Sequence, residues 1–430
     1  MENKKIYDII GIGIGPFNLG LAALLEPVTE VSALFLDQAD GFDWHPGLML
    51  DNATLQVPFM ADLVTMADPK SRFSFLNFLK ETNRLYKFFI REDFFILRKE
   101  YNVYCKWAVN QLSSCLFNKY VDNILFDDQT EVYQIMVMDK STQKKETYFT
   151  KKLVFGTGTQ PFLPEFMKDK KYQNVIHTSQ YLDYKSEILN SNSVSIIGSG
   201  QSAAEIFQDL LPETQDGLYM SWFTRPDRFF PMEYSKLTLE LTSPEYVDYF
   251  YQMPIEKRKA TLAKQPALYK GINFDLINAI FDTMYEMSVD DTPLNVQLRP
   301  NCQLNNVLEE KEDTTYSLDF TQVQKEEDFT HTSEFVILAT GYKYKTPVFI
   351  EGINHRIKRN EDGLYDVDRN YSIDKAGEEI FVQNAELHTH GFVTPDLGMG
   401  AYRNAIIINT IAKKEVYKVE KRIAFQQFDL

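Results

Sequence analysis

The chain has 430 residues, enough for two or three domains, and its 44% hydrophobic and 25% charged residues are the proportions of an ordinary globular protein. Its net charge of −16 argues against a nucleic-acid surface. The three cysteines form no C-x-x-C pair, which argues against a dithiol redox centre and fits a cytoplasmic location, and no apolar run approaches the roughly 20 residues that span a bilayer.

The chain opens with a predicted strand at 6–11, a glycine-rich turn, a helix at 19–25 and a second strand at 31–37. Because the first strand begins so early, we expect no signal peptide. The turn, GIGIGPFNLG at 11–20, is the first nucleotide loop: Gly11, Gly13 and Gly15 allow the backbone to approach a pyrophosphate at a helix N-terminus. The third glycine of a standard G-x-G-x-x-G pattern is replaced by Pro16, a residue that suits the first turn of a helix.

Asp37 closes the second predicted strand. An acidic residue at this point of a nucleotide-binding unit accepts hydrogen bonds from a ribose hydroxyl. An ordinary aspartate at the end of a strand is the alternative.

Beyond this unit, the apolar spacing predicts amphipathic helices at 73–79 and 94–107. Alternating polar and apolar residues at 120–153 predict an antiparallel meander that covers the first sheet. The meander ends in a buried-type strand that runs into a glycine turn at 153–159.

A second strand–turn–helix–strand unit is predicted at 193–225 and contains the second nucleotide loop, GSGQSAAE at 198–205. Gly198 and Gly200 supply the turn, and Ala203 is the permitted small residue at the third position. Arg225 follows the next strand, where NAD-binding units carry an acid; a guanidinium there favours the 2′-phosphate of NADPH, and a plain surface arginine is the alternative. Two such loops in one chain suit hydride transfer from a nicotinamide to a flavin.

The block 229–300 is helical and aromatic, with its clearest helices at 244–250 and 274–287, and we interpret it as a substrate-facing insertion. A strand at 335–338 then enters Ala339-Thr-Gly-Tyr342, and the chain returns to its first domain. The fold class is therefore α/β, with two dinucleotide-binding Rossmann-like domains and a helical insertion. We predict the first domain at 1–162 and 335–430 and the second at 163–334.

Several segments together resemble the flavin-dependent N-hydroxylating monooxygenases of siderophore biosynthesis, and within them the diamine branch. They occur in the family's order and are 11–19 (GIGIGPFNL), 42–47 (FDWHPG), 55–59 (LQVPF), 62–65 (DLVT), 198–205 (GSGQSAAE) and 339–342 (ATGY). The resemblance implies FAD in the first domain, NADPH in the second, and a homo-oligomer, often a tetramer.

The resemblance also implies a reaction. NADPH reduces the flavin, dioxygen adds to give a hydroperoxyflavin, and a primary amine takes the distal oxygen. Only the neutral amine can attack, and deprotonating an alkylamine of pKa about 10.4 costs roughly 4–5 kcal/mol near neutral pH. Burial against the flavin lowers that pKa, and an aromatic pocket keeps water away.

The family pattern places a set of cofactor-binding residues in this chain. On the flavin side these are Trp44, His45, Gln56, Thr340, Gly341, Asp396 and Leu397, and in the second loop Gly198, Gly200, Gln201 and Ser202. No certain catalytic residue emerges, because the chemistry demands no protein base; His45 and Gln56 are the flavin-side candidates. His45 is alternatively a structural histidine.

The substrate side departs from the amino-acid hydroxylases of the family. Those enzymes place a lysine, which pairs with the substrate carboxylate, at the position of Ala61, and an asparagine at the position of Leu239. A third family position is retained as Asn273. Losing a buried cation costs several kcal/mol if the carboxylate remains, so we predict a diamine such as putrescine or cadaverine. Glu240 and Asp275 are candidates for holding its far ammonium, with solvent-facing helix charges as the alternative.

Other readings stay open at this point. L-lysine or L-ornithine is the alternative substrate, and a flavin monooxygenase that oxidises ketones, sulfides or tertiary amines would use the same loops. A non-catalytic dinucleotide sensor is a different class. His388 and His390 lack a further ligand pattern, so no metal site is expected.

Overall fold

The computed structural model describes residues 5–290, 293–310 and 315–429. The chain has the predicted α/β fold, built on two sheets that each have a parallel core. The described strands are β1 (Ile6–Ile12), β2 (Ala33–Leu36), β3 (Cys115–Leu116), β4 (Lys119–Asp127), β5 (Val132–Asp139), β6 (Lys145–Phe155), β7 (Thr159–Pro161), β8 (Val175–His177), β9 (Ser193–Ile197), β10 (Tyr219–Phe223), β11 (Val296–Arg299), β12 (Cys302–Glu310), β13 (Thr315–Gln322), β14 (Glu327–Ser333), β15 (Phe335–Leu338), β16 (Tyr342–Tyr344) and β17 (Ile380–Val382).

The described α-helices are α1 (Pro16–Leu25), α2 (Phe75–Glu81), α3 (Leu85–Arg91), α4 (Arg98–Val109), α5 (Lys185–Leu189), α6 (Gln201–Leu210), α7 (Lys236–Leu239), α8 (Pro244–Gln252), α9 (Ile255–Lys264), α10 (Phe274–Met287), α11 (Leu387–His390) and α12 (Gly400–Ala412). Among them, none combines the length and the apolar composition that a bilayer crossing requires.

The first sheet is built around β1, which pairs in parallel with β2 and β6. Strand β6 is long, so its beginning pairs antiparallel with β5 while its end pairs in parallel with β17. The predicted meander is therefore present, but it extends the sheet at one edge and does not cover it, because its third strand is β6 itself. Helix α1 packs on this sheet together with α12.

The second sheet is parallel throughout, in the order β11-β10-β9-β15-β8. Its β9–α6–β10 unit confirms the second predicted strand–turn–helix–strand unit. An antiparallel sheet of β12, β13 and β14 packs on one face, where Val307, Leu318 and Phe320 share a core with Phe223 and Leu338.

The predicted domain boundary at residue 335 was wrong for one strand. Strand β15 lies between β9 and β8 in the second sheet, where all four of its residues are buried. The crossing between the two units comes next, where β7 and β16 pair antiparallel as a two-stranded ribbon. Residues 1–4, 291–292, 311–314 and 430 of the predicted domains lie outside the described residues.

The block 229–300 is helical, as predicted, through α7, α8, α9 and α10. Its end differs, because β11 joins the edge of the second sheet. Ser243 begins α8 by accepting a hydrogen bond from the Tyr246 amide at 3.2 Å. Val247 and Phe250 of α8 pack against Phe392 and Met399, so the insertion is in contact with the segment that precedes α12.

Three helix predictions needed correction. Helix α1 begins at Pro16, three residues before the predicted start, and α2 begins after Ser74, which accepts from the Asn77 amide at 3.3 Å. Residues 94–97 are not helical, because backbone hydrogen bonds from another segment hold them, such as Leu55 N–H to the Ile96 carbonyl at 2.9 Å, and α4 begins only at Arg98. Helix α3 was not predicted.

Candidate dinucleotide and amine site

The first nucleotide loop lies between β1 and α1 and is held by its own domain. Gly13 has φ +89°, and a Cβ there would lie 2.4 Å from the Gly156 carbonyl oxygen. Asp37 follows β2, and its Oδ2 accepts a hydrogen bond from the Ile14 amide at 2.6 Å. The Asp37 carboxylate thus holds the loop itself, whereas its ribose contact remains a prediction.

Asn18 is a loop residue that sequence reasoning missed. It is fully buried, and its Nδ2 donates to the Gly13 carbonyl at 2.7 Å. Gln383, just after β17, donates to the Asn18 Oδ1 at 2.7 Å. An amide side chain in the otherwise apolar first turns of α1 was the available signal, because a buried polar group needs partners.

The space around this loop fits a dinucleotide. A Cβ placed on Gly15, Gly158 or Gly341 would meet no atom within 4 Å, so these three glycines border open space. Helix α1 begins after Gly15 with no side chain capping its first turn, so the amides of that turn remain available to a phosphate. Helix α6 begins in the same way after Gly200.

His45 lies beside aromatic rings on the flavin side. Its ring centroid is 4.9 Å from that of Trp44 and 5.8 Å from that of Tyr342. The side chain is accessible, yet crowding by protein atoms together with the charge of Arg98 lowers its pKa to about 4. His45 is therefore neutral at physiological pH, which does not favour a role as a proton donor.

Gln56 has a side chain that lacks a partner. Its Nε2 is buried and makes no hydrogen bond to any described residue, whereas the backbone carbonyl of Gln56 accepts from the Tyr234 hydroxyl at 3.1 Å. An unpaired buried amide is costly, so this donor is suited to a polar group of a bound cofactor or substrate. Together with the open glycine-lined space, it makes the site a fit for FAD.

The second nucleotide loop follows β9. Gly198 has φ +154° and approaches Ala339 so closely that a Cβ would lie 2.2 Å from the Ala339 carbonyl oxygen. The Trp222 Nε1 donates to the Gly198 carbonyl at 2.7 Å. Thr340 donates to the Phe162 carbonyl, and Gly341 follows with φ +78°, so the predicted ATGY segment lies against this loop.

Arg225 lies two residues beyond the end of β10, at the carboxyl edge of the second sheet. Its side chain is exposed, and no hydrogen bond to another described residue holds it. This is the placement that the NADPH prediction requires, and the contact itself stays a prediction. Ser202 lies in the first turn of α6, beside Gln201.

Arg98 and Glu205 form a contact between the two units that was not predicted. Arg98 of α4 donates to both carboxylate oxygens of Glu205 in α6, at 2.6 and 3.0 Å, and both side chains are largely buried. Gln201 donates to Glu205 at 3.0 Å and accepts from the Asn273 amide at 2.8 Å. The second loop is thus tied to the first unit and to α10.

Gly47 is a point of close approach between the two units. A Cβ on Gly47 would lie 1.8 Å from the Ser179 carbonyl oxygen, so only glycine fits. The neighbouring Leu48 packs in the same core as Ile196 and Ile337 of the second sheet. The close packing of the two units therefore explains why the FDWHPG segment ends in glycine.

On the substrate side, Ala61 is buried at 6% exposure, directly before Asp62. Asp62 accepts from the Val64, Thr65 and Phe75 amides at 2.6–2.9 Å, and its burial raises its pKa. The aspartate therefore shapes the turn that holds residue 61, and no cation stands there.

The other substrate-side candidates are either exposed or bound to backbone groups. Leu239, at the end of α7, is exposed. The Glu240 carboxylate accepts from the Phe425 and Gln426 amides at 2.9 and 3.0 Å, so it anchors the chain end and is not a free partner for an ammonium. Asp275 is exposed in the first turn of α10, where a negative charge favours the helix.

Asn273 is the cap of α10. Its Oδ1 accepts from the Asp275 and Leu276 amides at 2.9 and 3.2 Å. This occupies the side-chain oxygen in a structural role. A substrate contact through its amide nitrogen stays a prediction.

The two flavin-side residues before α12 lie beside Ala61. Asp396 Oδ1 accepts from the Gly398 amide at 2.6 Å, and Leu397 shares a small cavity with Pro16 and Asp62. Burial raises the pKa of Asp396.

The histidines of α11 are occupied by protein partners. His388 Nε2 lies 2.7 Å from the Tyr365 carbonyl, and His390 lies 2.9 Å from Thr389 and 3.3 Å from the Arg369 carbonyl. Within the described ranges, no cluster of three or more His, Cys, Asp and Glu side chains could hold a metal ion. Cys105, Cys115 and Cys302 are free.

Comparisons with known proteins agree with this site. The family model described as L-lysine 6-monooxygenase/L-ornithine 5-monooxygenase matches residues 5–344. The chain is 47% identical to the putrescine N-hydroxylase of Shewanella oneidensis over 99% of this chain and 85% of that relative. It is also 47% identical to the putrescine N-hydroxylase of Acinetobacter baumannii, over 100% of this chain and 95% of the relative.

Among solved structures, the chain is similar to an FAD-bound cadaverine monooxygenase of the desferrioxamine pathway from Erwinia amylovora. The two are 48% identical, the match covers 99% of both chains, and the TM-score is 0.97.

Proposed function

Because this chain belongs to the L-lysine 6-monooxygenase/L-ornithine 5-monooxygenase family, we propose that it hydroxylates one primary amine of an aliphatic diamine, putrescine or cadaverine. The enzyme uses FAD, NADPH and dioxygen, and its N-hydroxydiamine product serves hydroxamate siderophore biosynthesis. The relatives that act on putrescine and cadaverine support this substrate class.

Ala61 is the observation that carries the diamine assignment. Its methyl group is buried at the position where amino-acid hydroxylases of the family place a lysine. A substrate carboxylate bound there would lack a counter-charge, at a cost of several kcal/mol. A diamine presents no carboxylate and avoids that cost.

The first unit would hold FAD. The amides that begin α1 and the unpaired Gln56 Nε2 would donate hydrogen bonds to its polar groups. The open space at Gly15 would leave room for them. FAD held by these residues would supply the oxygen-activating chemistry. The protein orients the amine and excludes water with aromatic side chains, of which Trp44 and Tyr342 flank the neutral His45.

The second unit would hold NADPH. The amides at the uncapped start of α6 would donate to the pyrophosphate, and the exposed Arg225 guanidinium would donate to the 2′-phosphate. The Arg98–Glu205 contact keeps this unit against the first, so that the nicotinamide can reach the flavin.

We also propose a cytoplasmic homo-oligomer. Tyr86, Phe89 and Ile90 of α3 are each more than 70% exposed, and they form an apolar surface with Phe94. Exposed apolar clusters of this kind mark protein–protein contacts. Light scattering of the FAD-loaded protein should give a multiple of the chain mass, and Phe89→Glu should lower it; a monomer in the unchanged protein contradicts the proposal.

An amine panel tests the function directly. The FAD-loaded protein is supplied with NADPH, dioxygen and, separately, putrescine, cadaverine, L-lysine and L-ornithine, and the hydroxylated product is quantified by mass. We expect hydroxylamine from the two diamines. A clear preference for either amino acid rejects the diamine assignment, and NADPH consumption without any N-hydroxylated product rejects the activity.

A further inference from the structure

Asp396 lies next to Ala61, with Gly398 between them. The Gly398 amide donates to Asp396 Oδ1 at 2.6 Å. A Cβ placed on Gly398 would lie 3.0 Å from that same oxygen and 3.8 Å from the Ala61 Cβ. The Asp396 carboxylate oxygen and the Ala61 methyl group are therefore less than about 7 Å apart, on the same side of Gly398.

The Asp396 carboxylate lacks a nearby paired cation. Burial is the main cause of its raised pKa, and the charge of Arg403 opposes this only in part. Arg403 already lies 3.1 Å from the buried Glu386 and donates to the Thr394 carbonyl at 2.6 Å. Among the described residues no side chain forms a salt bridge with Asp396.

The surroundings of Asp396 belong to the candidate site. Burial and, to a smaller extent, the negative charge of Asp396 raise the pKa of Tyr234, whose hydroxyl donates to the Gln56 backbone carbonyl. Gln56 carries the unpaired amide nitrogen, and Ala61 follows it by five residues. Asp396 thus faces the same region as the residues that define the amine site.

We propose that the Asp396 carboxylate binds the non-reacting ammonium of the diamine. This inference rests on the proposed function and names the group that determines its specificity. The bound ammonium supplies the positive charge that the buried carboxylate lacks.

The two earlier candidates serve as matched controls. Glu240 holds the backbone of the chain end and Asp275 is exposed at a helix start, so neither is expected to contact the amine. Their neutral variants, Glu240→Gln and Asp275→Asn, should leave the preference for diamines unchanged.

The decisive variant is Asp396→Asn in the FAD-loaded protein. Asparagine retains an oxygen that can accept from the Gly398 amide, so the local turn is preserved while the charge is removed. We expect kcat/KM for putrescine and cadaverine to fall by about 100-fold, because one partner of a desolvated charge pair is lost. Butylamine and pentylamine carry no second charge, so their values should fall much less than those of the diamines, and the ratio of the two losses measures the charge contact separately from any effect on the flavin. Calorimetric titration of the oxidised holoenzyme with putrescine should show the same loss in binding.

Equal losses for diamines and monoamines would overturn the inference, because Asp396 would then act on the cofactor or the fold. If Asp396→Asn does not retain FAD, Ala61→Lys gives the answer: the new ammonium should pair with Asp396 and weaken diamine binding, and unchanged binding contradicts the proposal. If the unchanged protein hydroxylates no diamine, the proposed function itself is wrong, independently of the results with these variants.

Discussion

The two nucleotide loops have similar sequences but are held in different ways. The first loop is fixed inside its own domain by Asp37, Asn18 and the contact of Gly13 with Gly156. The second loop is held by its own sheet through Trp222 and Ala339, but the helix that follows it is also tied to the first unit, because Glu205 pairs with Arg98.

From this difference we expect the first loop to determine how firmly FAD is bound. We expect the second loop to determine how NADPH is positioned relative to the first unit. A loop fixed by its own domain can hold FAD as a permanent group. A loop whose helix is joined to the neighbouring unit couples NADPH binding to the arrangement of the two units. Substitutions at the first loop should therefore affect FAD content, and substitutions at the Arg98–Glu205 contact should affect hydride delivery.

The largest expected effect is at Gly13. In Gly13→Ala the positive φ costs about 1–2 kcal/mol and the new Cβ meets the Gly156 carbonyl, so we expect loss of bound FAD and a lower melting temperature. Absorbance of the purified protein and thermal unfolding measure both. Gly15→Ala is the matched control, because its Cβ enters open space: it should weaken FAD binding without lowering the stability of the apoprotein. Normal FAD content in Gly13→Ala would refute the preformed loop.

The next effect is at the contact between the units. Arg98→Met leaves the buried Glu205 unpaired, a change that costs about 3–5 kcal/mol for a buried pair. We expect kcat/KM for NADPH to fall at least tenfold (order of magnitude from the same penalty) and more hydrogen peroxide per NADPH, with FAD retained. Lys99→Met, at an exposed pair on the same helix, should change little. Loss of FAD in Arg98→Met would contradict the separation of roles.

A smaller effect is expected at Arg225. Arg225→Ala should reduce kcat/KM for NADPH by about tenfold, since the charged contact to the 2′-phosphate is worth about 1.5–3 kcal/mol when fully formed and less when exposed. The value for NADH should not change. Arg228→Ala removes another exposed arginine three residues later and is the control. Equal losses with both coenzymes would show that Arg225 does not bind the 2′-phosphate.

The smallest effect concerns His45. With a pKa of about 4 it stays neutral in the folded protein, so His45→Asn, which tolerates the local φ of 52°, should keep the same activity profile between pH 6 and 9 in shape. Below the ordinary histidine pKa of 6.5, the unfolded chain gains a proton at His45 that the folded chain does not. The unchanged protein should therefore lose more stability than the variant as the pH falls toward 4, and an equal loss contradicts the low pKa.

The sequence was sufficient for the two nucleotide units, because a strand, a glycine turn and a helix are local patterns. It also predicted a role for Ala61, because the family resemblance shows where the amino-acid hydroxylases place a lysine. The segment 94–97 was wrongly predicted as helix because its backbone forms hydrogen bonds with residues about 40 positions earlier in the chain. This tertiary contact overrides the apolar spacing.

The site was harder to predict where it depends on contacts between distant segments. Arg98 and Glu205 are 107 residues apart, and no local pattern links them. The same holds for Asp396 and Ala61, which lie near each other only because the segment before α12 returns to the first unit. The assignment of β15 failed for a related reason, since a four-residue apolar strand does not specify its sheet.

One competition experiment tests the central claim most directly. Equal concentrations of putrescine and L-ornithine are offered together to the FAD-loaded protein with limiting NADPH, and the masses of the hydroxylated products are compared. We expect N-hydroxyputrescine in large excess. Hydroxyornithine as the main product would contradict the central claim.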